Sequence, residues 1–379
     1  MKPGKIITVF LLIISMVTMT GCWNYHELDQ MAMVAGVAVD RGTNGYRYHL
    51  TIEYLDTSSS AIKSKLMETD GNSIFDAIQN ATSISERVLY FADCKLIIIS
   101  QDLASEGIAP LLDWALRDPE PRITIIPVIA QTKTAGEILH HKSVSGDMKS
   151  IEIWRSISEN RDTLSETPDT KLYQTVDKLA NPAISLILPS ITGIQMQNEM
   201  VCKLGGAAIF KKDKFIGFLK PEETKMLLFV KNKVKGGQLT FSPLNDGQTI
   251  TLEIKSSKTK ITPSIENSKA SMKVDIEVRV ALTEDETRNS YVNTEGLKKA
   301  ESSAAKYLES GIAKVIETTQ TEYDSDVFGF GLTLFQNDPS YWNQHSKTWD
   351  KEFKNLKPTI NANVTIESTA TTKDKIEVS

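Results

Sequence analysis

Residues 270–283 read Ala-Ser-Met-Lys-Val-Asp-Ile-Glu-Val-Arg-Val-Ala-Leu-Thr. Met272, Val274, Ile276, Val278, Val280 and Leu282 alternate with Lys273, Asp275, Glu277 and Arg279. A period of two with one apolar side predicts a strand whose one face meets a core and whose other face meets water, the pattern of antiparallel sheet. Residues 249–255 and 258–265, just upstream, predict two more antiparallel strands. Downstream the period changes. Leu297, Ala300, Ala304, Leu308, Ile312 and Val315 recur every three or four residues, which predicts a long amphipathic helix over Glu295–Glu322. A helix around Tyr341–Phe353 and an alternating strand over Thr359–Ile366 follow. Further upstream, Val201–Lys211 and Lys214–Lys220 flank a Lys-Asp turn. Pro221-Glu222-Glu223 then opens a helix through Val230, with Pro at the first helical position and acids in the first turn, and Gly236-Gly237 follows it.

The N-terminal half mixes the same two periods. Met31–Asp40 and the alternating Tyr46–Leu55 are joined across Asn44-Gly45, a dipeptide suited to the positive φ angles of a tight hairpin. Ile74, Ile78, Ala81 and Val88 have helical spacing, and Ser73 stands three residues before Asp76, as at a capped N-terminus. Cys94–Ser100, Ile108–Leu116 and Arg122–Gln131 read as strand, helix and strand, a βαβ unit with Pro127 marking an edge or bulge. Three helices are expected across Ala135–Leu179. Asn181-Pro182, Pro189 and the polar run Gln195–Glu199 mark a boundary. The expected fold class is α+β: two or more mixed α/β domains with largely antiparallel sheets flanked by helices. The expected division is a signal peptide at 1–21, domains at 22–199 and 200–367, and a disordered tail at 368–379.

With 379 residues, 40% hydrophobic and 24% charged, the chain can bury a core in more than one domain. A net charge of -5, without a local stripe of Lys and Arg, argues against nucleic acid as a partner. Three cysteines exclude a disulfide scaffold, and no Cys/His pair stands at zinc spacing.

Lys2 and Lys5 precede the apolar run Ile6–Thr20, which ends in Met19-Thr20-Gly21-Cys22. This is the layout of an export signal closed by a bacterial lipobox. This fifteen-residue run extends only about 22 Å as a helix, short of a hydrocarbon core of about 30 Å. Cleavage before Cys22 would free its amine for N-acylation, while its thiol takes an S-diacylglycerol; two or three acyl chains anchor stably where one does not. An uncleaved anchor over Ile6–Trp23 and a signal cut without lipidation are the alternatives.

The residues offer no catalytic, cofactor or metal set, and no cofactor is expected. His140 and His141 are adjacent, about 100° apart on a helix, and are expected at a solvated helix end. Asp324 and Asp326 read as loop acids between helices. Gly205-Gly206 and Gly329-Phe330-Gly331 fit no phosphate loop and read as turns or close packing. Cys94 and Cys202 are expected as buried, inert thiols, with a bridge between them left open. Trp342 and Trp349, seven apart, read as one core-facing helix side.

Three blocks carry a resemblance: Gly21-Cys22-Trp23-Asn24 with Glu27-Leu28, Gly36 and Asp40-Arg41; Gly206-Ala207-Ala208-Ile209-Phe210 with Lys214, Gly217-Phe218-Leu219, Glu222-Glu223-Thr224 and Gly236-Gly237; and Ser325-Asp326-Val327-Phe328-Gly329-Phe330-Gly331 with Pro339, Trp342, Trp349 and Phe353. In this order they resemble the Ger(x)C family, the lipoprotein C subunits of spore germinant receptors. Asn24 stands where most members have Asp. The resemblance implies a non-enzymatic subunit of a nutrient germinant receptor, assembling with integral-membrane A and B subunits to trigger spore germination. It implies a lipid anchor on the outer face of the cell membrane, which in the spore is the inner membrane. Cys22 is the one functional position carried over, and no nutrient-binding residue transfers. A lipid-anchored solute-binding protein delivering a nutrient to a transporter is the alternative.

Overall fold

Asn44 and Gly45 take φ of 54° and 91° and close a hairpin between β1 (Met31–Arg41) and β2 (Tyr48–Asp56). The computed structural model of the chain describes residues 3–4, 31–56, 63–243, 248–267, 269–287, 291 and 294–368. Cys22, nearly all of the signal segment and residues 369–379 lie outside the described residues. After β3 (Lys63–Gly71), helix α1 (Ile74–Ile84) starts where the Ser73 hydroxyl accepts from the Asp76 N–H at 3.0 Å. Then come β4 (Val88–Tyr90), β5 (Leu96–Ile99), α2 (Gln101–Glu106), α3 (Ala109–Arg117) and β6 (Ile126–Ala130). The expected βαβ unit is present, with β5 parallel to β6, but Pro127 stands in unbroken register on a strand flanked by β5 and β7 (Ile187–Met196), not at an edge or bulge. Helices α4 (Gly136–His140), α5 (Lys149–Thr163) and α6 (Leu172–Ala180) match the three expected, and β7 (Ile187–Met196), β8 (Glu199–Lys211) and β9 (Lys214–Leu219) follow.

These strands make one nine-stranded mixed sheet in the order β3-β2-β1-β5-β6-β7-β8-β9, with β4 beside β1. Every residue of β5 and β6 is buried, as their unbroken apolar runs require of parallel strands covered on both faces. One face packs Val37, Ile97 and Phe210 against α1, α2, α3 and α6. The other packs Leu96, Ile98 and Val128 against Ile138 of α4 and Ile153 and Ile157 of α5.

The remaining elements are α7 (Pro221–Val230), β10 (Gln238–Phe241), β11 (Ile250–Glu266), β12 (Lys269–Asp285), α8 (Thr294–Thr318) with a π-helical turn at Thr319–Tyr323, α9 (Phe330–Asn337), α10 (Pro339–His345), α11 (Trp349–Asn355) and β13 (Thr359–Ser368). A four-stranded sheet runs β10-β11-β12-β13, antiparallel except for the β12–β13 pair. Met272, Val274, Ile276, Val278, Val280 and Leu282 all point into the core, as their alternation predicts, and meet Ala300, Ala304, Leu308, Ile312 and Val315 of α8. The α+β class, with two sheets flanked by helices, is what the sequence implies.

Several expectations need correction. Residues 249–255 and 258–265 are one strand, β11, bent at a bulge between Ile254 and Ser256. The helix expected over Tyr341–Phe353 is two, α10 and α11. Ser368, placed in the tail, is the last residue of β13. Strands β3, β4 and β10 were not expected; Val88, read with the helix that begins after Ser73, opens β4 instead. The stretch read as a punctuated boundary is largely strand β7, in which Pro189 stands one residue before the pairing with β6 begins at Ser190. The 199/200 division therefore falls beside the tight turn of the β7–β8 hairpin, where Gln197 has φ of 56°, and β8 and β9 complete the first sheet from beyond it.

Candidate functional site

Three buried carboxylates each receive the N-terminus of a helix, for the first two a helix remote in sequence and for the third the helix that follows it directly. Asp40 on β1 accepts from the N–H groups of Ala135 (2.7 Å) and Gly136 (2.8 Å) at the start of α4. Glu53 on β2, 1% exposed, accepts from Lys149 (2.7 Å) and Ser150 (2.6 Å) at the start of α5 and from the Ser64 hydroxyl (2.7 Å). Helix N-termini carry unpaired donors and partial positive charge, so a carboxylate there satisfies both. Gly36 lets α5 approach β1, since a Cβ at this position would stand 2.2 Å from Ser150 Oγ.

The third is Asp326, 5% exposed, in the segment Ser325–Gly331. It lies in a loop between helices, as expected, and is buried there. Its carboxylate accepts from the N–H groups of Gly329 (2.9 Å), Phe330 (3.2 Å) and Gly331 (2.7 Å) and from Trp349 Nε1 (3.1 Å). Burial pushes the Asp326 carboxyl above its ordinary pKa, and the four donors oppose that. Around it, the Asp326 carbonyl accepts from Ser185 N–H (2.9 Å), Ser325 Oγ donates to the Phe210 carbonyl (2.9 Å), and Lys231 Nζ donates to the Val327 carbonyl (2.7 Å). Trp342 and Trp349 meet edge to face at 5.7 Å. They are core residues, as expected, but on two helices. This segment thus joins the first sheet, α7 and the C-terminal helices.

Lys231 leads to a cavity of about 300 Å³. One wall is the loop between α5 and α6, with Thr167, Asp169, Thr170 and Lys171; the other is the end of α7 and the segment after it, with Lys231, Lys233 and Lys235. Lys178 of α6 and Arg161 of α5 complete the lining. The walls are held in place by hydrogen bonds: Asn160 Oδ1 accepts from Glu166 N–H at 2.9 Å, Ser165 Oγ accepts from Lys235 N–H at 3.1 Å, and Lys225 Nζ pairs with Glu166 at 3.0 Å. Gly236 and Gly237 sit so close to the carbonyls of Asp162 and Leu164 that a Cβ at either would approach them to 2.6 Å.

Two of the six cations are neutralised. Arg161 pairs with Asp162 (2.6 Å) and Asp169 (2.8 Å), and Lys235 pairs with Asp162 (2.9 Å). Among the described residues, Lys171, Lys178, Lys231 and Lys233 form no ion pair. Burial, then the repulsion of neighbouring ammonium groups, lowers the pKa of Lys178 to about 8 and that of Lys231 to about 7. Thr167 Oγ1 and Asp169 Oδ1 are buried and have no hydrogen-bond partner among the described residues. The sequence shows no local cation stripe. Its one trace is the alternation Lys231, Lys233, Lys235, and the fold adds Lys171 and Lys178 from some 50 residues upstream.

The remaining expected residues fall elsewhere. His140 is exposed and reaches Glu68 at 3.0 Å, but His141 is buried, with Nδ1 3.6 Å from Cys202 Sγ. A solvated helix end therefore describes only the first of the pair. Burial lowers the His141 pKa and raises that of the Cys202 thiol to about 11, so this is not an activated thiolate pair. Cys94 and Cys202 are both free and belong to clusters on opposite faces of the first sheet. Gly206 and Gly329 have φ of 93° and 85°, consistent with backbone roles. Among the described residues, no three His, Cys, Asp or Glu side chains cluster as metal ligands, and no helix is long and apolar enough to cross a membrane.

Comparison with known proteins covers both halves. A family model described as "Spore germination protein N-terminal domain" matches residues 24–193, and one described as "Spore germination B3/GerAC like, C-terminal" matches residues 205–370. Spore germination protein B3 of Bacillus subtilis (strain 168) is 26% identical, the alignment covering 89% of this chain and 91% of that protein. Spore germination protein KC of the same strain is 23% identical over 92% of each. Spore germination protein GerQC of Bacillus cereus is 21% identical over 96% of this chain and 99% of that one. Among solved structures, the crystal structure of the GerBC protein superposes with a TM-score of 0.58 at 22% identity, over 90% of this chain and 100% of that one, which shows a shared fold. With both domain models in tandem along one chain, the protein belongs to the Ger(x)C family of spore germination proteins.

Proposed function

We propose that this chain is the lipid-anchored C subunit of a nutrient germinant receptor, assembling with integral-membrane A and B subunits on the outer face of the spore's inner membrane. The observation that carries this reading is the tandem match of both family domains, at residues 24–193 and 205–370, directly behind a lipobox ending in Cys22. Its task is binding and assembly rather than catalysis. S-diacylglycerol and N-acyl chains on Cys22 would fix it there, because two or more chains anchor stably. Cys22→Ala should abolish labelling by a fatty-acid analogue and release the protein from the membrane fraction; undiminished labelling overturns the anchor. Deleting the gene should slow germination on particular nutrients while vegetative growth stays normal. Normal germination on every nutrient, in a strain that also lacks paralogous receptors' C subunits, would overturn the receptor reading.

A further inference from the structure

We propose that the cavity between the α5–α6 loop and Lys231–Lys235 binds a small oxyanion, a carboxylate or phosphate that also carries a hydroxyl or amine donor. Four lysines without ion pairs, on two separate stretches of chain, face a volume of about 300 Å³, at the small end of the range for ligand sites. Like charges gathered this closely oppose one another, and an oxyanion among them replaces that repulsion with charge-assisted hydrogen bonds. Burial and then the neighbouring ammonium groups lower the pKa of Lys178 and Lys231, and a bound anion would offset the second of these.

Two neutral or acidic groups sharpen the ligand class. The Thr167 side chain, 1% exposed, lines the cavity with a hydroxyl that has no partner among the described residues, whereas nearly all buried polar groups in proteins have one. It supplies a donor to the oxyanion. Asp169 Oδ1 is an unpartnered acceptor on the same wall, while Oδ2 is taken by Arg161. A bare anion would be repelled there, so the ligand must present an N–H or O–H to it. The site joins residues of both family segments, and Lys231 also holds the Val327 carbonyl beside Asp326. Occupancy would therefore draw the α5–α6 loop toward the segment that follows α7. The inference rests on this geometry and not on the receptor reading.

Calorimetry on the full chain at fixed ionic strength tests it, with L-malate, succinate and inorganic phosphate as probes. Malate offers a hydroxyl that succinate lacks, and a site that hydrogen-bonds this group should favour malate by about tenfold or more. Lys233→Met, at an exposed position, should leave the fold intact and weaken malate binding about tenfold, and Thr167→Val should weaken it with no change in charge. Absence of saturable binding by all three probes up to about 10 mM overturns the proposal, as does unaltered binding in both variants. Equal affinity for malate and succinate overturns the ligand class.

Discussion

Asp326 has two oxygens and four donors, three of them from the first turn of α9. Asp326→Asn preserves volume but turns an amide NH₂ toward either the Gly329 and Phe330 N–H groups or the Gly331 N–H and the Trp349 indole. Donor then faces donor in a buried site. A loss of about 2 to 4 kcal/mol is expected, read as a lower urea midpoint at unchanged m-value. The cavity lysines carry a pH signature of opposite origin. Their folded pKa values, about 8 for Lys178 and about 7 for Lys231, lie below the ordinary 10.5, so between these values the unfolded chain holds protons that the native state has released. Stability should therefore rise as pH increases from about 7 toward 10, and be lowest below 7 where both charges must be carried in the fold. Lys231→Met should flatten that rise. Urea midpoints of parent and variant at several pH values across the window measure it, and an identical slope in both would show that Lys231 keeps its proton.

At the scale of elements, the signature segment depends on two glycines for different reasons. Gly329 has φ of 85°, where a Cβ costs about 1 to 2 kcal/mol, and its nearest neighbour would be Ile184 Cδ1, a flexible side-chain end, at 3.0 Å. Gly331 has ordinary helical geometry but no room. A Cβ there would lie 2.7 Å from Trp349 Nε1, 2.8 Å from the Trp342 ring and 2.9 Å from the Ala183 carbonyl. Gly331→Ala should therefore be the more damaging, by about 2 to 4 kcal/mol against about 1 to 2 for Gly329→Ala, measured by thermal unfolding. Such close packing cannot be read from sequence, because it depends on which ring meets which backbone. The elements that sequence exposed best, β12, α8 and the β1–β2 hairpin, have one strong period and a clear turn. Those it hid lack one. In β3 only Leu66 and Met67 are apolar, as an edge strand allows, and β7 carries Pro189 and Gly193, which mimic loop signals. The same limit applies to the cavity. Lys231, Lys233 and Lys235 are visible as a short alternation, but Thr167, Asp169 and Lys178 join them only through the packing of α5, α6 and α7.

The whole molecule is sewn together across the place where its two family segments meet. Residues 24–193 match one model and 205–370 the other, yet β7 belongs to the first and most of β8 and all of β9 to the second, and they are neighbours in one sheet. Ala208 and Phe210 of β8 enter the core beneath α1, α2, α3 and α6, while Ala207 and Ile209 of the same strand enter the core shared with α7, α8 and the second sheet. A strand with alternate residues in two cores couples them. A chain ending at residue 199 would lose Phe210, which is fully buried, and would expose the whole of β7 as an unpaired edge. A chain ending at residue 230 keeps β8, β9 and the α7 cover over Leu219. Fragment 31–230 closes the first sheet but bares the face of α7 that meets α8, so it should still unfold cooperatively though at a lower temperature than the full chain, whereas 31–199 should aggregate or melt without cooperativity, because an exposed ten-residue edge favours pairing between chains. Size-exclusion chromatography and thermal unfolding of the two fragments decide the matter. A sharp transition in 31–199 near that of 31–230 would mean that the first sheet closes its core without β8 and β9, and that the hairpin only adjoins it.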